Sequence, residues 1–295
     1  MNYQFIRKYS SVHFVQKMCH VLKVNRSGYY QWLTADEGRY ACENRKILVE
    51  IQNIHSDPNM SSYGSPRMAS ELNDRGFVCS VPRVARIMKA HYIRSTIKAR
   101  FKKTTDSDHK KEKSPNLLQQ DFSSPAPNKR WVSDITYIWT LQGWLYLTIV
   151  LDLFHRKIVG WAMSNRLYTD ITTIAALEQA YKRERPESGL IFHSDPGSQY
   201  AADKFRSLLN QYDMVQSMSG KGNCYDNAVA ESFFKTLKTE LIWQNGCKSR
   251  DETRRDIFRY IECHYNRYRK HSYLGNLSPE KFLLKQQMNL SQALT

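Results

Sequence analysis

The stretch WVSDITYIWT, residues 131–140, is dense in β-branched and aromatic side chains. A turn marked by Gly143 closes it, and WLYLTIVLDLFHRKIVGWAMS, residues 144–164, continues with the same composition. Such side chains suit the pleated, half-buried surface of strands, and the polar break at Asp152–Lys157 makes the second stretch two strands of a hairpin. A 3.6-residue periodicity follows over 170–184, then a short apolar strand GLIFH (189–193), a helix over 203–212, a strand MVQSM (214–218) and a helix over 226–241. Three neighbouring strands, then strands alternating with helices, predict one mixed five-stranded α/β sheet with helices packed on it.

The front of the chain reads differently. SPRMASELNDR (65–75) is helical, with Met68 and Leu72 four apart, and Gly76 ends it. VPRVARIMKAH (81–91) is a second helix, with Ser80 as its cap and Pro82 tolerated in its first turn. Val84, Ile87 and Met88 supply its buried stripe, while Arg83, Arg86 and Lys89 point elsewhere. Helix, short turn and basic helix make a helix-turn-helix arrangement, whose second helix can lie in a DNA major groove. Taken alone, the segment is better read as an ordinary αα-hairpin with a solvated basic face. NRSGYYQWL (25–33) and the helical run 44–54 join the same all-α unit, with Tyr29, Tyr30 and Trp32 as core. From 100 to 129 the chain is polar and Pro/Ser-containing without periodicity, a linker with Leu117, Leu118 and Phe122 as docking points.

Charge narrows the partners. The 295 residues carry a net +16, and such an excess favours a polyanion, because each Lys or Arg set against a phosphate releases condensed counterions. No apolar run approaches the roughly 20 residues needed to span a bilayer, and the N-terminus lacks the apolar run of a signal peptide. Nucleic acid is therefore the expected partner, with no membrane. The excess is front-loaded: residues 1–120 hold 21 Lys and Arg against 10 Asp and Glu. Six scattered cysteines without a Cys-x-x-Cys pair predict reduced thiols in an intracellular protein. His13, Cys19 and His20 lack a close cysteine pair and are read as polar residues of a small helix, not a zinc site.

Within this basic chain three acids are conspicuous. Asp134 lies in a strand among Trp131, Val132, Ile135 and Tyr137; Asp195 follows the apolar strand; Glu231 lies on the helix of DNAVAESFFKTLK. An ionised carboxylate resists desolvation unless it is paired or bound to metal, and strand ends of α/β sheets are where sites form. Singly, each acid could be a cap or half of an ion pair. Together they offer oxygen ligands to hard divalent ions such as Mg²⁺, two of which can serve an in-line phosphodiester displacement.

WVSDITYI, FHSDPGSQY and DNAVAESFFKTLK resemble the three catalytic motifs of bacterial insertion-sequence transposases of the DDE superfamily. Thirty-five residues separate Asp195 from Glu231, which matches the spacing typical of this group. YNRYRKHSYLGNLSPEKF (265–282), SSYGSPRMASEL and RVARIMKAHYIRS are similar to further segments of that family, so the likeness runs from about residue 40 to 282. The resemblance implies a ribonuclease H-like fold, shared with retroviral integrases, preceded by a small helix-turn-helix-like domain. It implies Asp134, Asp195 and Glu231 as a metal-binding catalytic triad holding Mg²⁺ or Mn²⁺, two ions per site. It implies cleavage at element ends with water and joining by the freed 3′-hydroxyl, without a covalent protein–DNA intermediate. It also implies a homo-oligomer on DNA, a nucleoid-associated bacterial location, and an upstream-frame protein or fusion that supplies end recognition. The front shows no sustained heptads, as expected of a second-frame product. The corresponding units are 1–40 (helical segment), 41–99 (helix-turn-helix-like, DNA-binding), 100–128 (linker), 129–285 (catalytic) and 286–295 (tail).

Around the triad, Asn227, Lys235 and Lys238 share one helical face with Glu231. Lys235 and Lys238 are read as phosphate contacts, and a basic residue at the place of Lys238 is kept in the family. Arg267, Arg269, Lys270 and His271 form a basic patch read as holding DNA, whereas His193 is read as structural. Two other functions stay open: a ribonuclease H-like nuclease that does not join strands, and a non-catalytic DNA-binding regulator.

Overall fold

The computed structural model describes residues 2–34, 39–95, 114–220 and 224–293, so residues 100–113 of the expected linker and the last two of the expected tail lie outside the described residues. β1 (Arg130–Thr140), β2 (Gly143–Asp152), β3 (Ile158–Ser164), β4 (Ile191–Ser194) and β5 (Val215–Met218) form one sheet in the order β3-β2-β1-β4-β5. β1, β2 and β3 are antiparallel neighbours, β4 runs parallel to β1 and β5 parallel to β4. The mixed α/β sheet expected from the sequence is thus the observed one. Gly143, at φ +93°, closes a tight β1–β2 turn opposite Thr140. Because side chains alternate across a strand, β1 serves both faces: Val132 and Ile138 enter one core, Trp131 and Ile135 the other.

The front is helical. α1 (Asn2–Tyr9), α2 (Val15–Val21) and α3 (Arg26–Thr34) enclose a small core of Ile6, Met18, Cys19 and Tyr29. Tyr29 is core as expected; Tyr30 is not, being 47% exposed, and Trp32, though its ring packs against Tyr3 and Tyr29, stays 36% exposed at the edge of that core. α4 (Arg39–Ser56), α5 (Ser65–Asp74) and α6 (Val81–Ala90) make a second helical core around Ile51, Met68, Leu72, Val84 and Met88. Ser80 caps α6 by accepting from the Arg83 amide, as its sequence predicts.

α7 (Ala175–Glu184), entered through the π-helical turn Asp170–Ile174, and α8 (Asp203–Gln211) cover one sheet face through Leu177, Ala180, Phe205 and Leu209. α9 (Ala228–Leu237), α10 (Arg250–Phe258) and α11 (Pro279–Ala293) complete the chain. α9 is prolonged by a π-helical turn, Lys238–Ile242, and α10 by another, Arg259–Tyr265. Ala230, Phe233, Phe234 and Leu237 of α9 pack with Ile257, Tyr260, Ile261 and Tyr265 on the opposite sheet face. A buried Phe or Leu contributes roughly 1.5–3 kcal/mol of transfer free energy, so this row alone fixes the axial rotation of α9.

Two expected boundaries are corrected. Residues 114–128 belong to the α/β unit: Leu118 is buried in its core, Phe122 packs against it, the Leu117 amide donates to Ser217 Oγ and the Met218 amide donates to the Pro115 carbonyl. The expected tail, as far as it is described, continues α11. Among the described residues Cys19, Cys42, Cys79, Cys247 and Cys263 are free thiols, and no helix is long and apolar enough to cross a membrane.

Candidate active site

β1 and β4 are in register up to Ser133 opposite Ser194. Asp134 and Asp195 each follow by one residue. Adjacent strands lie about 4.8 Å apart, so both acids start from neighbouring backbone where β4 ends beside the middle of β1. Asp134 has the parity of Val132 and Ile138, which face the core that α9 covers. The helix that carries Glu231 therefore lies on the side to which Asp134 points.

The electrostatics show the convergence. The Asp134 carboxyl is raised well above the ordinary range, first by burial, then by Asp195 and Glu231; the Ile135 amide and Lys238 pull the other way. Glu231 keeps contact with solvent, yet local desolvation and then Asp195 hold its carboxyl up. Asp195 is half-buried and accepts from the Gly197 amide at 3.1 Å. A Cβ on Gly197 would sit 2.9 Å from Asp195 Oδ1, so only glycine leaves the carboxylate this fold-back. Among the described residues no three Asp, Glu, His or Cys side chains already stand as a closed ligand group. What the fold brings together is a mutually repelling set of acids.

Several buried groups hold this set in place. Ser133 donates to the Ile149 carbonyl at 2.7 Å, which uses its one proton, so the Tyr200 hydroxyl 2.8 Å away is the donor to Ser133 Oγ. Tyr200 is fully buried, its phenol pushed well up by burial and then by Asp134 and Asp195. His193 lies 2.9 Å from the Asp226 carbonyl through Nε2 and 2.8 Å from Ser217 Oγ through Nδ1. A carbonyl only accepts, so Nε2 carries the proton and Nδ1 accepts from Ser217. Burial holds this imidazole down to about 4, which keeps it neutral. His193 thus pins the start of α9 to β4 and β5. Asp226 adds to that pin by accepting from the Gly220 amide and from Gln120 Nε2. Sequence reasoning missed Tyr200, Gln120 and Asp226 as supports, although Tyr200 and Asp226 lie inside the quoted motifs.

The remaining basic and polar candidates part company. Lys238 is half-buried, with burial lowering its ammonium and Asp134 attracting it. Lys235 is on the exposed side of α9, and Arg86 and Lys89 are exposed on α6. Asn227 is corrected: it is buried and its Nδ2 donates to the Ser133 carbonyl at 3.2 Å, so it ties α9 to β1 instead of facing DNA. It also makes no side-chain cap for α9. Arg83 is engaged by Asn44, by Glu43 and by the ring of Tyr40. Arg269 and Lys270 are corrected as well. Arg269 is buried and forms a two-pronged ion pair with Glu240, both contacts at 2.9 Å, and Arg67 from α5 adds a third contact at 3.5 Å. Lys270 is buried against Asp74, Glu71 and Ser70 of α5. Their charges are spent within the protein, joining the front helical unit to the α/β unit. His271, of the same patch, is held well below its ordinary value by burial and then by the neighbouring arginines, so it carries no charge to offer DNA. Only Arg267 stays exposed, 3.8 Å from Glu280.

A mixed sheet ordered β3-β2-β1-β4-β5, with one acid within β1, one just past β4 and one on the helix above, defines an integrase-type core with a helical DNA-binding unit ahead of it. Integrase core domain models match residues 124–224 and 231–288, and an HTH-like domain model matches residues 42–101. The chain is 38% identical over 289 residues to the transposase InsF for insertion sequence IS3A of Escherichia coli (strain K12), covering 96% of this chain and 98% of that one. It is 42% identical over 265 residues to the insertion element IS600 uncharacterized 31 kDa protein of Shigella sonnei, covering 90% and 97%. A chain of the simian T-cell lymphotropic virus intasome is similar over 79% of this chain and 73% of its own, at 15% identity and a TM-score of 0.45. The chain belongs to the IS3-type insertion-sequence transposases, DNA transposases with an integrase core.

Proposed function

We propose that Asp134, Asp195 and Glu231 are the catalytic carboxylates of this transposase and the ligands of two divalent cations, Mg²⁺ or Mn²⁺. The observation that carries this reading is that acids from three separate segments converge where β4 ends beside β1 and raise one another's affinity for positive charge. The donor set fits such ions, being oxygen only and anionic, with the half-buried Lys238 attracted by Asp134. When bound, the ions neutralise the acids and stabilise the attacking and leaving oxygens of a phosphodiester displacement.

The chain's own residues do the rest. Asp134 is held within β1 and Asp195 just past the end of the adjacent β4, and the Tyr200–Ser133 pair and Gly197 limit where they point. Glu231 is positioned by α9, which His193, Asn227 and Asp226 pin at its start and Phe233 and Leu237 along its length. Lys238 and Lys235 contact backbone phosphates beside the acids, and Arg86 and Lys89 of α6 contact duplex DNA. Water, then a DNA 3′-hydroxyl, is the nucleophile, so no serine or tyrosine needs activation. The protein acts as a homo-oligomer on the element ends and on target DNA in the bacterial nucleoid, with an upstream-frame protein or fusion contributing end recognition.

Thermal unfolding with rising Mg²⁺ or Mn²⁺, followed by cleavage of a duplex carrying an element end, tests the reading. The wild-type midpoint rises with the ion and cleavage requires it. Asp134→Asn, Asp195→Asn and Glu231→Gln each weaken the rise and abolish cleavage. An undiminished rise together with undiminished cleavage in any of the three would sink the assignment, and cleavage without joining would make the protein a nuclease.

A further inference from the structure

We infer that α1–α3 is a second helix-turn-helix module, separate from α4–α6, which binds duplex DNA with α3 in the major groove. Its backbone has the required form. α2 ends at Val21 and α3 begins at Arg26, and the four residues between them turn through Lys23, at φ +51°. The Val24 amide donates to the Cys19 carbonyl and the Lys23 amide to the His20 carbonyl, closing α2. Asn25 then opens α3 by accepting from the Ser27 amide at 2.9 Å. A turn of this length sets two helices so that the second can enter a groove while the first crosses the DNA backbone.

Packing decides which face of α3 is presented. A Cβ on Gly28 would lie 2.6 Å from the Tyr3 hydroxyl, so α1 crosses α3 closely there. Tyr29 is buried beside it, and Tyr3 lies 6.0 Å from the ring of Tyr29 and 5.8 Å from that of Trp32. Positions 28, 29 and 32 are therefore the inner face. The opposite positions, spaced three and four apart, are 27, 30, 31 and 34, with Arg26 at the leading end; all five are exposed.

Charge selects the occupant. Residues 2–34 contain Arg7, Lys8, Lys17, Lys23 and Arg26 and not one Asp or Glu. In α4–α6, by contrast, Arg75 is paired with Glu50 and Glu71, and Arg83 with Glu43. A helical unit without an acid, showing exposed lysines at 17 and 23 beside the turn, complements the phosphates that flank a major groove. Arg26 and Gln31 at the exposed front of α3 are residue types that pair in two-pronged fashion with guanine and adenine edges.

The test is binding by the full chain in the absence of divalent metal, which separates it from the catalytic reading. The probe is a duplex with the terminal repeat read from the DNA flanking the gene, beside a scrambled duplex. The double variant Arg26→Ala/Gln31→Ala is expected to bind the terminal duplex at least about tenfold more weakly, the loss for one specific base contact or more. It should lose one segment of the hydroxyl-radical footprint that Arg86→Ala/Lys89→Ala retains. Gln31→Glu, which keeps the size and adds negative charge, should weaken binding as well. Affinity and footprint unchanged in both α3 variants, with helix content intact by circular dichroism, would overturn the proposal.

Discussion

Replacing Arg269 by methionine separates a structural arginine from a DNA-contacting one. Arg269 reaches Glu240 through Nε and Nη2, both at 2.9 Å, and the two side chains are 5% and 4% exposed. Tyr260 donates to the same carboxylate at 2.6 Å, and Arg67 approaches at 3.5 Å. Burial alone would push the Glu240 carboxyl up; Arg269, then the hydrogen bonds and Arg67, hold it below its ordinary value. Methionine fills much of the space but strands that carboxylate. Breaking a buried pair from one side costs about 3–5 kcal/mol, and Arg67 as a remaining partner points to the lower end, about 3 kcal/mol. That is a large part of a typical domain's 5–15 kcal/mol. Urea unfolding at pH 7 should show a lowered midpoint, and adding Glu240→Gln to Arg269→Met should recover most of the loss by removing the stranded charge. DNA affinity and its salt slope, measured where both proteins are folded, should be unchanged. An unfolding free energy within about 0.5 kcal/mol of the wild type, with a salt slope lower by about 1, would refute the reasoning and return Arg269 to the DNA surface.

Three further outcomes follow from the same geometry. Lys238→Ala should weaken binding of terminal and scrambled duplexes alike and lower the salt slope by about 1; unchanged binding and slope remove Lys238 from the phosphate contacts. Asn227→Ala should cost about 1 kcal/mol for the lost bond to the Ser133 carbonyl and slow strand joining with DNA affinity intact; weakened affinity with normal joining would reverse that assignment. His264 is buried, and burial, outweighing the nearby Glu240, holds its imidazole down to about 4 from 6.5. A base with a depressed folded value stabilises fully above the unfolded value, so up to about 3 kcal/mol is lost as pH falls from 6.5 to 4. His264→Gln should flatten the urea midpoint against pH over that window, and an unaltered profile would contradict it.

The sheet was legible because its signal is local. β-branched and aromatic runs broken by Gly143 and by 152–157 give β1, β2 and β3, and periodic helices give the alternation that follows. The motifs marked the three acids because carboxylates among apolar strand residues have few structural uses. What stayed hidden depends on contacts distant in sequence. Arg269 and Lys270 read as a basic patch because their partners, Glu240, Glu71 and Asp74, are 29, 199 and 196 residues away. Asn227 read as a surface residue because its acceptor is a backbone carbonyl of β1. Residues 114–128 read as linker because a segment held by edge hydrogen bonds to β5 has no periodicity of its own. Tyr200 and Asp226 act through other residues, so their importance lies in partners that spacing does not reveal.

The central claim is that Asp134, Asp195 and Glu231 act together in strand transfer. Its most direct test offers a duplex with a pre-cut 3′-hydroxyl element end to the protein with Mg²⁺ or Mn²⁺ and measures joining to a second duplex. Asp134→Asn, Asp195→Asn and Glu231→Gln are each predicted to bind that duplex and to abolish joining. Joining at the wild-type rate by any one of the three would contradict the account.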